Sequence, residues 1–236
     1  MIRFGMVALS DGLPSRVLCA VIWDFNGTLI DDTDLTVRSL NVLLARRGLP
    51  LVDVDSYRCC VGFPLSDYYE RIGLDVSGEG MSNLAEEFYV SYLPALPTCR
   101  LHHGVVETLK GLRAAGVKQF VLSASEERVV RETILGLGVN EYFEAVVGLN
   151  HRLVDSKIEQ GRQLIRSVPA DTSAMLLIGD TDHDAEVGDA LGIPVLLVAQ
   201  GHQDEQRLRA TGHRVFADLE ALHQVLMQRG LEPDHA

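Results

Sequence analysis

The sequence predicts an α/β fold: a parallel sheet covered by helices on both faces, with a largely helical segment inserted after the first strand. Three observations predict it. Short apolar runs (Val17–Trp23, Gln119–Leu122, Ala145–Gly148, Ala174–Ile178, Ile193–Val198) alternate with helical patterns of roughly 10–15 residues, as strands buried on both faces do. Between about Asp31 and Arg100 there is no convincing strand. The 236 residues suit one α/β domain plus a modest insert.

The elements follow in order. Val17–Trp23 is the first strand, with Cys19 inside it, and it ends in Asp24-Phe25-Asn26-Gly27-Thr28. A carboxylate at the C-terminal end of a parallel strand stands where open α/β sheets place their ligands. Gly27 lets backbone approach an anion closely, and Thr28 adds a hydroxyl. A long helix follows, with Leu35, Leu40, Leu43 and Leu44 on one face and Arg46-Arg47-Gly48 at its close. Asp67–Ile72 and Asn83–Tyr92 are expected as amphipathic helices, separated by Gly62-Phe63-Pro64 and Gly78-Glu79-Gly80.

From Val105 the strand–helix alternation resumes. Phe120–Leu122 ends in Ser123-Ala124-Ser125, and Ser125 is expected to cap the next helix, which has acids in its first turn. Lys157 follows Asp155-Ser156 at the start of another helix. Met175–Ile178 ends in Gly179-Asp180-Thr181-Asp182-His183-Asp184. A last helix–strand–helix runs from Glu205 to Leu226, and residues 232–236 read as a frayed tail. Residues 1–16 read either as an extra strand or as a loose tail.

Bulk properties exclude several classes. Net charge is −12 with 47% hydrophobic and 23% charged residues, an ordinary globular composition without the basic surface that nucleic acid or an anionic membrane demands. Four cysteines (Cys19, Cys59, Cys60, Cys99) show no metal-ligand spacing and read as reduced thiols of a cytoplasmic protein. No signal peptide or membrane span is expected. Lysines number three, Lys110, Lys118 and Lys157; an acidic chain of this kind, if it binds phosphate, must do so locally, with backbone amides, one lysine and a metal ion.

Nucleophile, hydroxyl, lysine and acidic pair, in that order at Asp24, Ser123, Lys157 and Asp180–Asp184, resemble the four motifs of the haloacid dehalogenase superfamily of phosphoryl-transfer enzymes. The resemblance runs from Val17 to about Met227 and is nearest to the phosphoglycolate phosphatase-like branch. It implies a Rossmann-like core over residues 1–30 and 101–236 and a helical cap over residues 31–100 that closes on the site. Hinges are expected at Asp31–Thr33 and Leu101–Gly104.

By that resemblance Asp24 is the nucleophile that forms an aspartyl-phosphate. The catalytic set is Asp24, Asn26, Ser123 and Lys157; the phosphate is held by Asn26, Gly27, Thr28, Ser123, Ala124 and Lys157. Mg²⁺ is implied as cofactor, on Asp24, the Asn26 carbonyl, Asp180 and Asp184, with Asp182 as the other candidate for the last place. Arg58, Tyr68 and Tyr69 are candidates to read the rest of the substrate, and His151 and Arg152 to line the rim; His183 could tune the acidic loop. His102-His103 is expected in solvent.

One position departs from the pattern. Where phosphatases of that superfamily carry an acid–base Asp two residues after the nucleophile, this chain has Asn26, an amide that cannot trade a proton. Three explanations stand open: a good leaving group such as an acyl phosphate or pyrophosphate, a proton from Asp31, Asp32 or His102, or slow turnover. The expected function is a Mg²⁺-dependent phosphatase of a small phosphorylated metabolite; the alternative is a phospho-ligand-binding or sensing protein. A phosphonate hydrolase would need a lysine in residues 31–100, which hold none, and a dehalogenase would leave Asp180–Asp184 unexplained.

Overall fold

The computed structural model describes residues 18–151 and 156–229. Six parallel strands form one sheet in the order β5-β4-β1-β6-β7-β8. They are β1 (Ala20–Trp23), β4 (Lys118–Glu126), β5 (Ala145–Leu149), β6 (Met175–Gly179), β7 (Val195–Val198) and β8 (Arg214–Phe216). The connecting helices are α5 (Val105–Ala114), α6 (Glu127–Gly136), α7 (Ile158–Ser167), α8 (Asp182–Leu191), α9 (Glu205–Ala210) and α10 (Leu219–Arg229).

The strands are apolar on both faces because both are covered. Val21 and Trp23 point into one cluster with Leu109, Val130, Leu176 and Leu222; Ala20 and Ile22 point into the other with Leu122, Leu177, Val187 and Leu197. The Trp23 indole donates to Gln119 Oε1 (3.1 Å), and the Gln119 amide donates to the Leu109 carbonyl (2.9 Å), so the polar groups of this packed layer are satisfied.

Between β1 and α5 lie the helices α1 (Thr33–Arg46), α2 (Val54–Cys60), α3 (Leu65–Arg71) and α4 (Gly80–Ala95). They share a separate apolar cluster that includes Leu40, Leu43, Tyr57, Tyr68 and Leu84. Helix α2 was not expected; its start was marked by Asp53, whose carboxylate accepts from the Ser56 amide (2.7 Å). The segment leaves and rejoins the core through a two-stranded antiparallel ribbon, β2 (Ile30–Asp31) with β3 (Arg100–Leu101), in the register Ile30↔Leu101 and Asp31↔Arg100. Asp31 and Leu101, one from each segment expected as a hinge, lie in this ribbon.

Some expectations shift. Cys19 precedes β1 and is exposed, and Val17 lies outside the described residues, as do residues 1–16, Arg152 and 232–236. No helix among the described residues is long and apolar enough to cross a membrane.

Candidate active site

Strand register assembles the site. Trp23 lies opposite Val121 on one side and Ile178 on the other, so β1 and β6 end near one level of the sheet, which β4 passes at Val121 before running on to Glu126. Asp24, Ser123 and Asp180, each just past that level, therefore converge where the chain crosses from β1 to neighbours on either side, the crevice of an open α/β sheet. Lys157 reaches the same place from the N-terminal end of α7.

The result is a buried cluster of charge. Carboxylate oxygens of Asp24, Asp180 and Asp184 lie within 4.8 Å of one another. Lys157 Nζ contacts Asp24 Oδ1, stands 2.7 Å from Asp184 Oδ1, and donates to the Leu122 carbonyl at 3.0 Å. Burial pushes Asp24 well above the usual carboxylate range, against the pull of Lys157. Burial also pushes Asp180 up to about 6, with His202 opposing. Asp184 is buried too, yet Lys157 holds it below its ordinary value. Burial would depress the Lys157 ammonium, but Asp184 and Asp24 outweigh it and raise its pKa.

Two acids on one helix turn are thus told apart. Asp184 Oδ2 accepts from the Thr181 amide (3.0 Å) and hydroxyl (2.7 Å), a capping box that turns its other oxygen toward Lys157. Asp182 faces away; Arg207 donates to its Oδ2 at 3.0 and 2.8 Å, and Gln203 to its Oδ1 at 2.8 Å. Of the two, Asp184 is the one brought to Asp24.

Close packing behind Asp180 explains two glycines. Gly27 adopts φ +75°, and a Cβ there would stand 2.2 Å from Asp180 Oδ2; a Cβ on Gly201 would stand 2.1 Å from the same oxygen. The Thr28 hydroxyl donates to Asp180 Oδ1 (2.6 Å), and the His202 amide to Oδ2 (2.6 Å). Thr28 is fully buried and, like Gly27, stands behind Asp180 without lining the cavity.

Asn26 is fixed on every side. Its Oδ1 accepts from the Ser125 hydroxyl (2.8 Å), and its Nδ2 donates to Asp32 Oδ2 (2.9 Å) and to the Tyr92 oxygen (3.0 Å). Tyr92 in turn donates to Asp32 Oδ2 at 2.6 Å, and the Gly27 amide donates to Asp32 Oδ1 at 2.9 Å. His202 Nε2 lies 3.4 Å from Asp32 Oδ1, and its Nδ1 lies 3.1 Å from the Tyr57 hydroxyl. Burial raises Asp32, but His202, Tyr92 and Asn26 together hold it below the ordinary value. Burial lowers His202, but Asp32 outweighs it and the imidazolium is held up to about 9.

Of the three residues expected to replace the missing acid, only Asp32 lines the cavity. Asp31 is exposed in β2, and His102 is half-buried beside the ribbon; burial lowers its pKa. Ser125 does not cap α6, whose N-cap is Glu126 without a side-chain bond; it orients Asn26 instead. His202 and Tyr92 were not expected. The one local signal was Gly201-His202 just past an apolar strand.

Around these groups lies a cavity of about 140 Å³. Asp24, Asn26, Ser123, Ala124 and Lys157 line its floor, and Leu40, Val61, Phe63, Leu65, Tyr69 and Met81 its upper walls. Ser123 is buried, and its oxygen accepts from the Ser125 amide (3.1 Å). Tyr69 meets the cavity as expected; Tyr68 does not line it. Arg58 is corrected: its guanidinium donates to the Ala199 (2.5 Å) and Gln203 (3.3 Å) carbonyls, tying α2 to the loop after β7. His103 is exposed beside Glu220 (3.4 Å), and His151 is exposed outside the cavity. His183 stacks on Phe63 at 4.4 Å between ring centres.

The three carboxylates suit a hard divalent cation. They are oxygen donors, crowded beyond what one lysine balances, and two of them are strained toward protonation by burial.

Known proteins resemble this chain in sequence and in fold. The phosphoglycolate phosphatase of Caulobacter vibrioides is 30% identical over 193 residues, 78% of this chain and 81% of that protein. The 5'-nucleotidase of Pseudomonas aeruginosa is 28% identical over 211 residues, 87% of this chain and 94% of that protein. Among solved structures, a predicted phosphatase from Clostridium acetobutylicum matches with a TM-score of 0.77 at 21% identity, over 90% of this chain and 100% of that one, which shows a shared fold. A family model described as haloacid dehalogenase-like hydrolase matches residues 21–198, which span Asp24, Ser123, Lys157, Asp180 and Asp184. The chain belongs to the haloacid dehalogenase-like hydrolases.

Proposed function

We propose that this protein is a Mg²⁺-dependent phosphatase that hydrolyses a small phosphorylated metabolite through an aspartyl-phosphate at Asp24. The observation that carries the reading is Lys157, a buried lysine held between Asp24 and Asp184 with Asp180 beside them. A structural ion pair needs one carboxylate per lysine; this site has three and faces a cavity.

Mg²⁺ would be held by Asp24, Asp180, Asp184 and the Asn26 carbonyl, and would supply positive charge to offset the carboxylates and the substrate phosphate. The chain's own groups do the rest. An Asp24 carboxylate oxygen attacks phosphorus; the bond from phosphorus to the leaving oxygen breaks, and its electron pair departs with that oxygen. Lys157 and the Ser123 hydroxyl stand on the cavity floor to hold the phosphoryl oxygens as charge spreads over them. Water then attacks phosphorus, inorganic phosphate leaves, and Asp24 is restored. The helices of residues 31–100 act as a cap over the cavity that excludes water and bulky phosphoproteins.

Asn26 favours the second reading, a phospho-ligand binder with little turnover. Its amide is locked by Ser125, Asp32 and Tyr92 and offers no proton, and Asp32, stabilised as the anion, is a poor acid. Acid quenching after mixing with a labelled phosphate ester separates the two. The phosphatase reading expects phosphate covalently on Asp24, lost in Asp24→Asn and in excess chelator; a binder retains ligand but forms no such bond.

A further inference from the structure

The walls of the cavity describe the part of the substrate that is not phosphate. Resting on the phosphatase reading above, we propose that the ester taken by this site carries a single uncharged aromatic ring on its leaving oxygen: an aryl phosphate, not a phosphorylated acid.

Charge excludes the acid. Among the described residues lining the cavity, those able to carry positive charge are Lys157, His183 and His202. Lys157 is held by Asp24 and Asp184, and His202 faces Asp32. His183 lies flat against Phe63 (18° between planes), and its Nδ1 faces Glu186 Oε2 at 3.3 Å. Two arginines at the boundary between residues 31–100 and the sheet are taken elsewhere, Arg58 by the carbonyls of Ala199 and Gln203 and Arg207 by Asp182. A substrate with a second carboxylate or phosphate would bury that charge without a partner, against a heavy desolvation cost.

Size and shape favour one ring. The cavity of about 140 Å³ must take the phosphoryl group on its floor as well, so the rest of the ester is bounded to one small group. Phe88 and Tyr92 stack at 5.1 Å, and Tyr89 stands at 87° to both, so the α4 side of the cavity offers a ring both faces and edges. A nucleoside, with base and sugar, exceeds that space.

Asn26 points to the same class. With no proton donated, phosphorus must part from an oxygen that leaves as an anion. A phenolic oxygen, with pKa near ~10, carries the electron pair far better than an alkoxide and takes its proton later from water. The amide at Asn26 and the apolar walls are separate observations that select the same leaving group.

The test separates fit from reactivity. Phenylphosphonate and phosphonoacetate are unreactive phosphonates that differ in a ring against a carboxylate; their inhibition constants against the Mg²⁺-loaded enzyme read the cavity alone. Phenylphosphonate should bind at least about 100-fold more tightly, and phenyl phosphate should exceed phosphoglycolate in kcat/KM by a similar factor or more. Met81→Lys, which puts an ammonium into the apolar wall, should narrow or reverse the phosphonate ratio. Phosphonoacetate binding within about threefold of phenylphosphonate, or preferred turnover of phosphoglycolate or a 5'-mononucleotide, overturns the aryl assignment while a trapped phosphoenzyme leaves the phosphatase reading standing. Absence of a phosphoenzyme with every ester overturns the phosphatase reading, and this inference with it.

Discussion

The Ser125 hydroxyl donates to Asn26 Oδ1 at 2.8 Å, which fixes the amide so that its nitrogen can only face Asp32 and Tyr92. The side chain that replaces an acid is therefore held in one orientation, and restoring the acid is a clean experiment. In Asn26→Asp the new carboxylate would meet Asp32 across the gap of the present 2.9 Å bond, and like charge would push one of the pair upward. Ethyl phosphate turnover should rise by about 10²–10⁴-fold, the usual worth of a positioned acid, and phenyl phosphate should change little. Steady-state rates on the two esters check it.

Metal binding should be visible as stability. Asp180 is raised to about 6 and Asp24 is raised as well, so the folded chain holds protons that the unfolded chain has released. For both groups the sign is a loss of stability as pH rises without metal, Asp180 contributing between about 4 and about 6. Mg²⁺ at about 100 times its Kd adds roughly 2.7 kcal/mol, or about 5–11 °C in Tm for a domain of this size. Thermal melts with chelator and with Mg²⁺ should show that gain at pH 7.5 and a smaller one at pH 5, where protons compete for the carboxylates.

Lys157→Met should harm folding and chemistry together. The substitution leaves Asp24 and Asp184 buried without their cation, a loss of about 3–5 kcal/mol for a broken buried pair. Denaturant midpoints should fall accordingly and recover in part when Mg²⁺ is added. Turnover should drop by about 10²–10³-fold or more even under conditions where the variant is folded.

His202 predicts the same sign of trend as Asp180, in a more alkaline window. Its folded pKa of about 9 lies above the ordinary 6.5, so its contribution is full below about 6.5 and is lost as pH rises toward 9. The chelated protein should weaken over that alkaline window, and His202→Gln should flatten the profile while lowering stability at pH 6.5. Chemical denaturation across pH 6–10 measures both.

How legible all this was varied with where the signal lay. Val21–Trp23 and Leu176–Ile178 were readable because strands covered on both faces must be apolar throughout, and Asp24 and Asp180 because they break those runs abruptly. The choice of Asp184 over Asp182 was left open because both suit a helix start; the Thr181 capping box and Arg207 decide it in three dimensions. Ser125 looked like a helix cap since its partner, Asn26, is 99 positions away. His202 and Tyr92 reach the site from a loop and from the far end of α4, with no spacing that ties them to Asp24. Arg58 misled for the same reason: a lone arginine on a short helix does not announce that two carbonyls of the loop after β7 await it.

The ribbon of β2 and β3 has a consequence for ancestry. Because Ile30 pairs with Leu101, the chain departs toward α1 and returns from α4 at neighbouring points, a gap that a tight two-residue hairpin turn would bridge. Everything between can be exchanged as a cassette without altering the register of the sheet or the position of Asp24. A grafted cassette would have to reproduce the contacts across this boundary: Leu35, Tyr89 and Leu96 packed into the cluster of Val21 and Trp23, the Val61 carbonyl that accepts from Gln203 (3.1 Å), Arg58 on the loop after β7, and Asp32 with Tyr92 around Asn26. Substrate range can thus drift by wholesale replacement of residues 31–100, leaving the phosphoryl-transfer chemistry of the sheet untouched.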